Sequence, residues 1–194
     1  QKSDHFSENW RWQFIEQPSG HPIRCLEDAG DGSIWVGGEE RMWKFDGIHW
    51  HELNEFPEGV PIGWIKDVLV TQKQEVYIRS QYGLFHLHEN RWQRLVTLEE
   101  EENTAVPLMV EAADGSVWSV SPDGIVQIKH DQVIIIGGFS RNNTNVWIDK
   151  EQNLWTTLQG DNSVIQIPLH ASKPTSIENW TYHQIDLREP LQTS

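Results

Sequence analysis

The feature that most constrains this chain is an internal repeat of roughly 40 residues. The segment Asp31-Gly-Ser-Ile-Trp35 recurs as Asp114-Gly-Ser-Val-Trp118, with weaker copies at Gln74-Glu-Val-Tyr77 and Gln152-Asn-Leu-Trp155. Three other features keep the same register. An apolar stretch precedes each aromatic, at Ile23 to Leu26, Ile65 to Val70, Leu108 to Val110 and Val146 to Ile148. A second run follows it, at Met42-Trp-Lys-Phe45, Leu84-Phe-His-Leu87, Ile125-Val-Gln-Ile128 and Val164-Ile-Gln-Ile167. The last run is led by tryptophan at Trp50, Trp92 and Trp180, and is the tryptophan-free Val133-Ile-Ile-Ile136 in the third unit.

Each unit therefore holds four short runs rich in β-formers. They are separated by turn pairs such as Asp31-Gly32, Asp46-Gly47, Asp114-Gly115 and Asp123-Gly124. In such a pair the carboxylate accepts from the turn backbone and glycine takes the positive φ. No segment sustains a period of 3.6, so helix should be scarce. One twisted meander cannot cover both of its faces and is stable only when neighbours stack on it. The 11 tryptophans, against 6 phenylalanines and 3 tyrosines, suit a repeated position that wants a large flat side chain between stacked sheets.

The expected fold is thus all-β, a β-propeller of about four four-stranded antiparallel blades forming part of a larger propeller. A single domain would cover residues 1–194, with blades at 21–53, 63–95, 106–136 and 144–185. Residues 9–15 would be the outer strand of a preceding blade, because Asn9-Trp-Arg-Trp-Gln-Phe14 resembles the later outer-strand segments. Both ends then carry an outer-strand segment, the ring does not close neatly, and the end faces invite association with a second copy. The acidic run Glu99 to Glu102 reads as a solvated inter-blade loop.

Charge narrows the partners. With 29 acidic against 15 basic residues and a formal charge of −14, a nucleic-acid backbone or an anionic membrane surface is excluded as the natural partner. No apolar run approaches the roughly 20 residues of a membrane helix, so this segment does not insert in a membrane. The lone Cys25 excludes an internal disulfide framework and any CxxC motif. The chain opens on Gln1 rather than methionine, which fits either a processed secreted protein or a chain trimmed at its start.

The run Asp31-Gly-Ser-Ile-Trp-Val-Gly37, followed by Met42-Trp-Lys-Phe-Asp-Gly47, resembles the two-component-regulator propeller repeat. The third unit matches in part through Asp114 to Trp118 and Asp123 to Ile125, while the second and fourth keep mainly the hydrophobic framework. The resemblance implies a periplasmic or extracellular sensor region that feeds downstream signalling domains, such as a histidine kinase or diguanylate cyclase, and senses an oligosaccharide. Members of that family usually carry more blades than four.

Most of the notable residues have a structural explanation. Asp31, Gly32, Asp114 and Gly115 are turn residues, and Trp35, Tyr77, Trp118 and Trp155 are inter-blade packing rather than sugar platforms, because they recur in every unit. The pairs His49/His51 and His86/His88 have the spacing of two zinc ligands on one strand face, but no third ligand is identifiable and no metal or other cofactor is expected. Catalytic signatures such as GxSxG, HExxH, Walker A and GxGxxG do not occur, and nothing selects one carboxylate pair as a glycosidase dyad. Hence no enzyme is expected.

In a four-stranded meander the loop between strands two and three opens on the same end as the loop to the next unit. The ligand candidates fall there: Arg41, Trp64, Arg79, Gln81, Tyr82, Arg141, Asn142 and Asp161, beside Glu39, Glu40, Asn143 and Asn162. The expected function is an extracytoplasmic ligand sensor. The alternatives are a propeller glycosidase, sialidase-like or lectin domain, and a protein-assembly scaffold.

Overall fold

The computed structural model describes residues 22–98, 108–121, 124–130, 132–137, 143–158 and 163–184. The expected strand at 9–15 and the acidic loop Glu99 to Glu102 lie outside them. Four antiparallel sheets of four strands follow one another along the chain, each in the order of its sequence. The first holds β1 (Cys25–Asp28), β2 (Ile34–Gly37), β3 (Met42–Phe45) and β4 (Trp50–Glu52). The second holds β5 (Ile65–Val70), β6 (Val76–Ser80), β7 (Gly83–His88) and β8 (Arg91–Thr97). The third is β9 (Met109–Glu111), β10 (Val117–Ser121), β11 (Gly124–Lys129) and β12 (Gln132–Gly137). The fourth is β13 (Asn143–Ile148), β14 (Asn153–Leu158), β15 (Ser163–Pro168) and β16 (Thr181–Gln184). Among the described residues the only helical turn is a 3₁₀ turn at Ile177–Asn179.

The first strands β1, β5, β9 and β13 lie side by side, each next to its successor, which places them on the inside and the fourth strands on the outside. Each pair of successive sheets encloses one apolar cluster. Trp35, Met42 and Cys25 of the first blade meet Val68, Ile78, Phe85 and Trp92 of the second. Tyr77, Leu84 and Val96 then meet Met109, Val117 and Val126, and Trp118, Val120 and Ile125 meet Val146, Leu154, Ile165 and Ile167. Three clusters between four radially arranged sheets make the fold a β-propeller. In β6 and β10, in sheets covered on both faces, every residue is buried.

Three of the repeated aromatics, Trp35, Tyr77 and Trp118, lie in the apolar clusters between successive sheets. Each of the four lies opposite a polar residue of the next strand: Trp35 opposite Lys44, Tyr77 opposite His86, Trp118 opposite Gln127 and Trp155 opposite Gln166. Lys44 Nζ lies 5.5 Å from the Trp35 ring centre, and His86 stacks on Tyr77 at 4.5 Å and 11°. Trp155 corrects the expectation. It is half-buried, its Nε1 donates to Asp149 Oδ2 at 2.7 Å, and its ring meets His183 of its own blade at 5.3 Å. No described strand covers that face, so Trp147, opposite Trp155 in the sheet, is 61% exposed.

The turns follow their sequence. Asp31 Oδ1 accepts Ser33 N at 2.8 Å and the Ser33 hydroxyl, Asp114 Oδ1 accepts Ser116 N at 3.0 Å, and Gly32 and Gly115 sit at φ +89° and +78°. Partial burial acts to raise the Asp114 carboxyl, but the bonds from Lys129 and Ser116 outweigh it and hold it down to about 2. Asp46 receives Ile48 N and His49 N in the same way. Asp123 lies outside the described residues.

Polar links also cross the blades. Cys25 Sγ donates to Ile65 O at 3.5 Å. Asp67, in β5, accepts Leu108 N at 2.7 Å and Met109 N at 2.9 Å of the third blade on one oxygen, and Val68 N at 3.0 Å on the other. Burial raises the Asp67 carboxyl to about 6 against those three bonds and the nearby Arg79 guanidinium. On the hairpin end, Gln74 Nε2 donates to Ala29 O and Gln152 Oε1 accepts from Ala113 N, both at 2.9 Å.

Candidate functional site

The end of the arc opposite the Asp-Gly hairpins is built from the links between β2 and β3, between β4 and β5, and between β6 and β7. Backbone bonds lock these links together. Glu40 N donates to Gly63 O and Ile65 N to Gly38 O, each at 2.9 Å, and Glu39 forms a β-bridge with Trp64. Gln81 N donates to Trp64 O at 2.8 Å, and Gln81 Oε1 accepts Trp64 N at 3.4 Å. Gly63 makes the approach feasible. It sits at φ +62°, and a Cβ there would lie 2.5 Å from Gln81 Oε1 and 3.0 Å from Tyr82 Cε2. Gln81 and Tyr82 therefore pack directly on the backbone that carries Trp64.

The Trp64 indole is half-buried and carries the Arg24 guanidinium 4.3 Å above its ring centre. A contact of this kind is worth about 0.5–1 kcal/mol at an exposed position and orients both groups. Beside it, Glu39, Glu40, Arg41 and Asn54 line an open cleft of about 430 Å³. Arg41 Nη1 donates to Glu52 Oε1 at 2.7 Å, Asn54 Nδ2 donates to the same oxygen at 2.5 Å, and Asn54 Oδ1 accepts Met42 N at 2.7 Å. The rim thus joins an aromatic and guanidinium platform to a cleft of carboxylate, guanidinium and amide groups. That combination suits a polyhydroxylated ligand, whose ring lies on the flat surface while its hydroxyls reach donors and acceptors.

Trp64, Gln81 and Tyr82 come together as one cluster, and Arg41 lies in the adjoining cleft. Arg79 does not join them. It is 1% exposed, within β6, and its Nη1 donates to Ser80 O at 3.2 Å. The expectation that it projects from a loop is corrected: alternation along the strand puts Arg79 on the blade face that carries Tyr77. Arg141, Asn142 and Asp161 lie outside the described residues. The sequence reading missed Arg24, Asn54 and Gly63. A glycine immediately before an isolated loop tryptophan was the available signal for the last of these.

The histidine pairs are occupied elsewhere. His51 Nε2 pairs with Asp46 Oδ2 at 2.7 Å, and His86 is stacked on Tyr77. Among the described residues no three His, Cys, Asp or Glu side chains converge as metal ligands, and no helix is long and apolar enough to cross a membrane.

No protein-family model matches the sequence, and no curated protein matches it. Solved structures do share the fold. Virginiamycin B lyase from Staphylococcus aureus is 12% identical, with a TM-score of 0.66 over 86% of this chain and 56% of the lyase. The extracellular domain of BT4673, a hybrid two-component system of B. thetaiotaomicron, is 16% identical, with a TM-score of 0.65 over 90% of this chain and 24% of that one. PorZ, a bacterial surface component of the type-IX secretion system of Porphyromonas gingivalis, is 10% identical, with a TM-score of 0.62 over 90% of this chain and 29% of PorZ. The chain spans about half the length of the lyase and about a quarter of the other two. These likenesses concern architecture, and they place this chain among the β-propellers.

Proposed function

We propose that this chain is the ligand-sensing propeller region of an extracytoplasmic signalling protein, and that its loop rim binds an oligosaccharide. The observation that carries the reading is the joint placement of Trp64 with Arg24, Gln81 and Tyr82 beside the Glu39, Glu40, Arg41 and Asn54 cleft, on the end of the fold made of inter-strand loops. The sensor element of the reading is supported by the two-component-regulator repeat at Asp31 to Gly47 and by the fold shared with the extracellular domain of a hybrid two-component system. Downstream signalling domains, and a second copy of the chain, are the partners it implies.

In this reading the chain is not an enzyme. Occupancy of the rim changes how the loops press on neighbouring domains, and such a signal requires no group that makes or breaks bonds. The fold shared with a lyase, at 12% identity, is architecture. The test is a glycan array followed by calorimetry with the wild-type chain and the Trp64→Ala and Tyr82→Ala variants. Loss of binding of about tenfold or more in both variants supports the reading. Unchanged affinity for a confirmed glycan, or hydrolysis of a glycoside by the chain, would remove it.

A further inference from the structure

At the hairpin end, one blade boundary is built differently from the other two. Between the first and second blades Gln74 reaches Ala29 O, and between the third and fourth Gln152 receives Ala113 N. Both glutamines hold the same place in the repeat, at φ +64° and +61°. Between the second and third blades that place belongs to Gly115, at φ +78°. The boundary is instead held from another position, Glu111 Oε2 accepting Gln72 N at 2.8 Å. Beside Gly115 lies a slot of about 280 Å³, lined by Lys73, Glu75, Tyr77, Asp114, Ile128, Lys129 and His130.

The slot's charges are unevenly committed. Asp114 is consumed by its own turn: Ser116 N and Oγ donate to one oxygen, and Lys129 Nζ donates to the other at 2.6 Å. The Lys73 chain runs beside Gly115, its Nζ 3.7 Å from where a Cβ would stand. Among the described residues the side chains of Lys73 and Glu75 form no ion pair with each other, although both line the slot. An ammonium, a carboxylate and the His130 imidazole thus open onto a small floor of Tyr77 and Ile128.

We propose that this slot binds a small carboxylic acid that also carries hydroxyl or amino hydrogens. Its carboxylate would sit on Lys73, with Lys129 alongside, and its donors would face Glu75. A uronic acid and an α-amino acid both have this chemistry. The site is at the opposite end from the loop rim and does not depend on it.

The test is calorimetry at low salt, with amide chemical-shift mapping, of the full 194-residue chain against glucuronate, an α-amino acid, acetate and glucose. Saturable binding is expected for glucuronate or the amino acid, and which of them binds tighter identifies the source. Acetate should bind more weakly and glucose not at all. Shifts should centre on Lys73, Gly115 and His130. Lys73→Gln should weaken binding by about tenfold or more. Gly115→Gln, which restores the residue used at the other two boundaries, should abolish binding while preserving the far-UV spectrum. Lys73 is an exposed turn residue, so Lys73→Gln decides the matter should Gly115→Gln fail to fold. The proposal is overturned by the absence of saturable binding to either acid, by equal binding of glucose, or by unchanged affinity in Lys73→Gln.

Discussion

Replacing Trp118 by alanine isolates the energetics of blade stacking. Trp118 is fully buried between the third and fourth blades, among Leu108, Val120, Ile125, Val146 and Leu154, with its Nε1 donating to Ser116 Oγ at 2.9 Å. A buried tryptophan removes on the order of 200 Å² from water, worth about 5 kcal/mol at 25 cal/mol/Å², and measured truncations of this kind cost about 3–5 kcal/mol. Trp155 holds the same repeat position but, among the described residues, meets Asp149 and His183 of its own blade, so Trp155→Ala should cost about 1–2 kcal/mol, including its bond to Asp149. Urea unfolding followed by circular dichroism measures both, with hydrogen exchange showing which sheets loosen. Equal losses in the two variants, or a loss below about 1.5 kcal/mol for Trp118→Ala, would refute the idea that these rings act by being sandwiched between blades.

Other consequences follow from single groups. The Asp67 carboxyl is raised to about 6 in the fold from an ordinary 3.8, so the native state holds its proton where the unfolded chain has lost it. Its contribution to stability should fall by about 2–3 kcal/mol as pH rises from roughly 4 to 6, and stay level above that. Carboxyl carbon NMR and pH-dependent unfolding check this, and Asp67→Asn should remove the slope. Burial, followed by the Asp67 charge, pushes the Cys25 thiol up to about 12. Alkylation at pH 8 should be slower than for an exposed cysteine by a factor on the order of a hundred or more, with full reactivity returning on unfolding. Gly63→Ala should cost about 1 kcal/mol or more through its φ of +62° and the crowding of Gln81, and should alter Trp64 fluorescence.

Much of the architecture is legible in the sequence because the repeat acts at two scales. Asp31 and Asp114 fix hairpins locally, and Trp35 and Trp118 fix the spacing of sheets, so turn chemistry and hydrophobic pattern agree. What a repeat conceals is departure from it. Trp155 has the sequence of an inter-blade ring but is half-buried, and among the described residues it meets Asp149 and His183 of its own blade. Arg79 is expected among the loop residues, but it lies inside a doubly covered strand, where alternation puts it on the face of Tyr77. Asp67 stands in an apolar run, and that mismatch was the available sign of a polar link across blades. The rim was visible in part, through Trp64, Gln81 and Tyr82. Arg24 and Asn54 arrive by tertiary packing that no local pattern encodes.

Incorporation of fluorotryptophan, followed by fluorine NMR during titration with the glycan that the array identifies, tests the sensing account most directly. The 11 indoles report separately on blade interiors and on the loop rim. The account predicts that the Trp64 resonance moves with saturation while those of Trp43, Trp92 and Trp118, which are almost fully buried, stay in place. Movement confined to the buried indoles, with Trp64 unchanged, would contradict it.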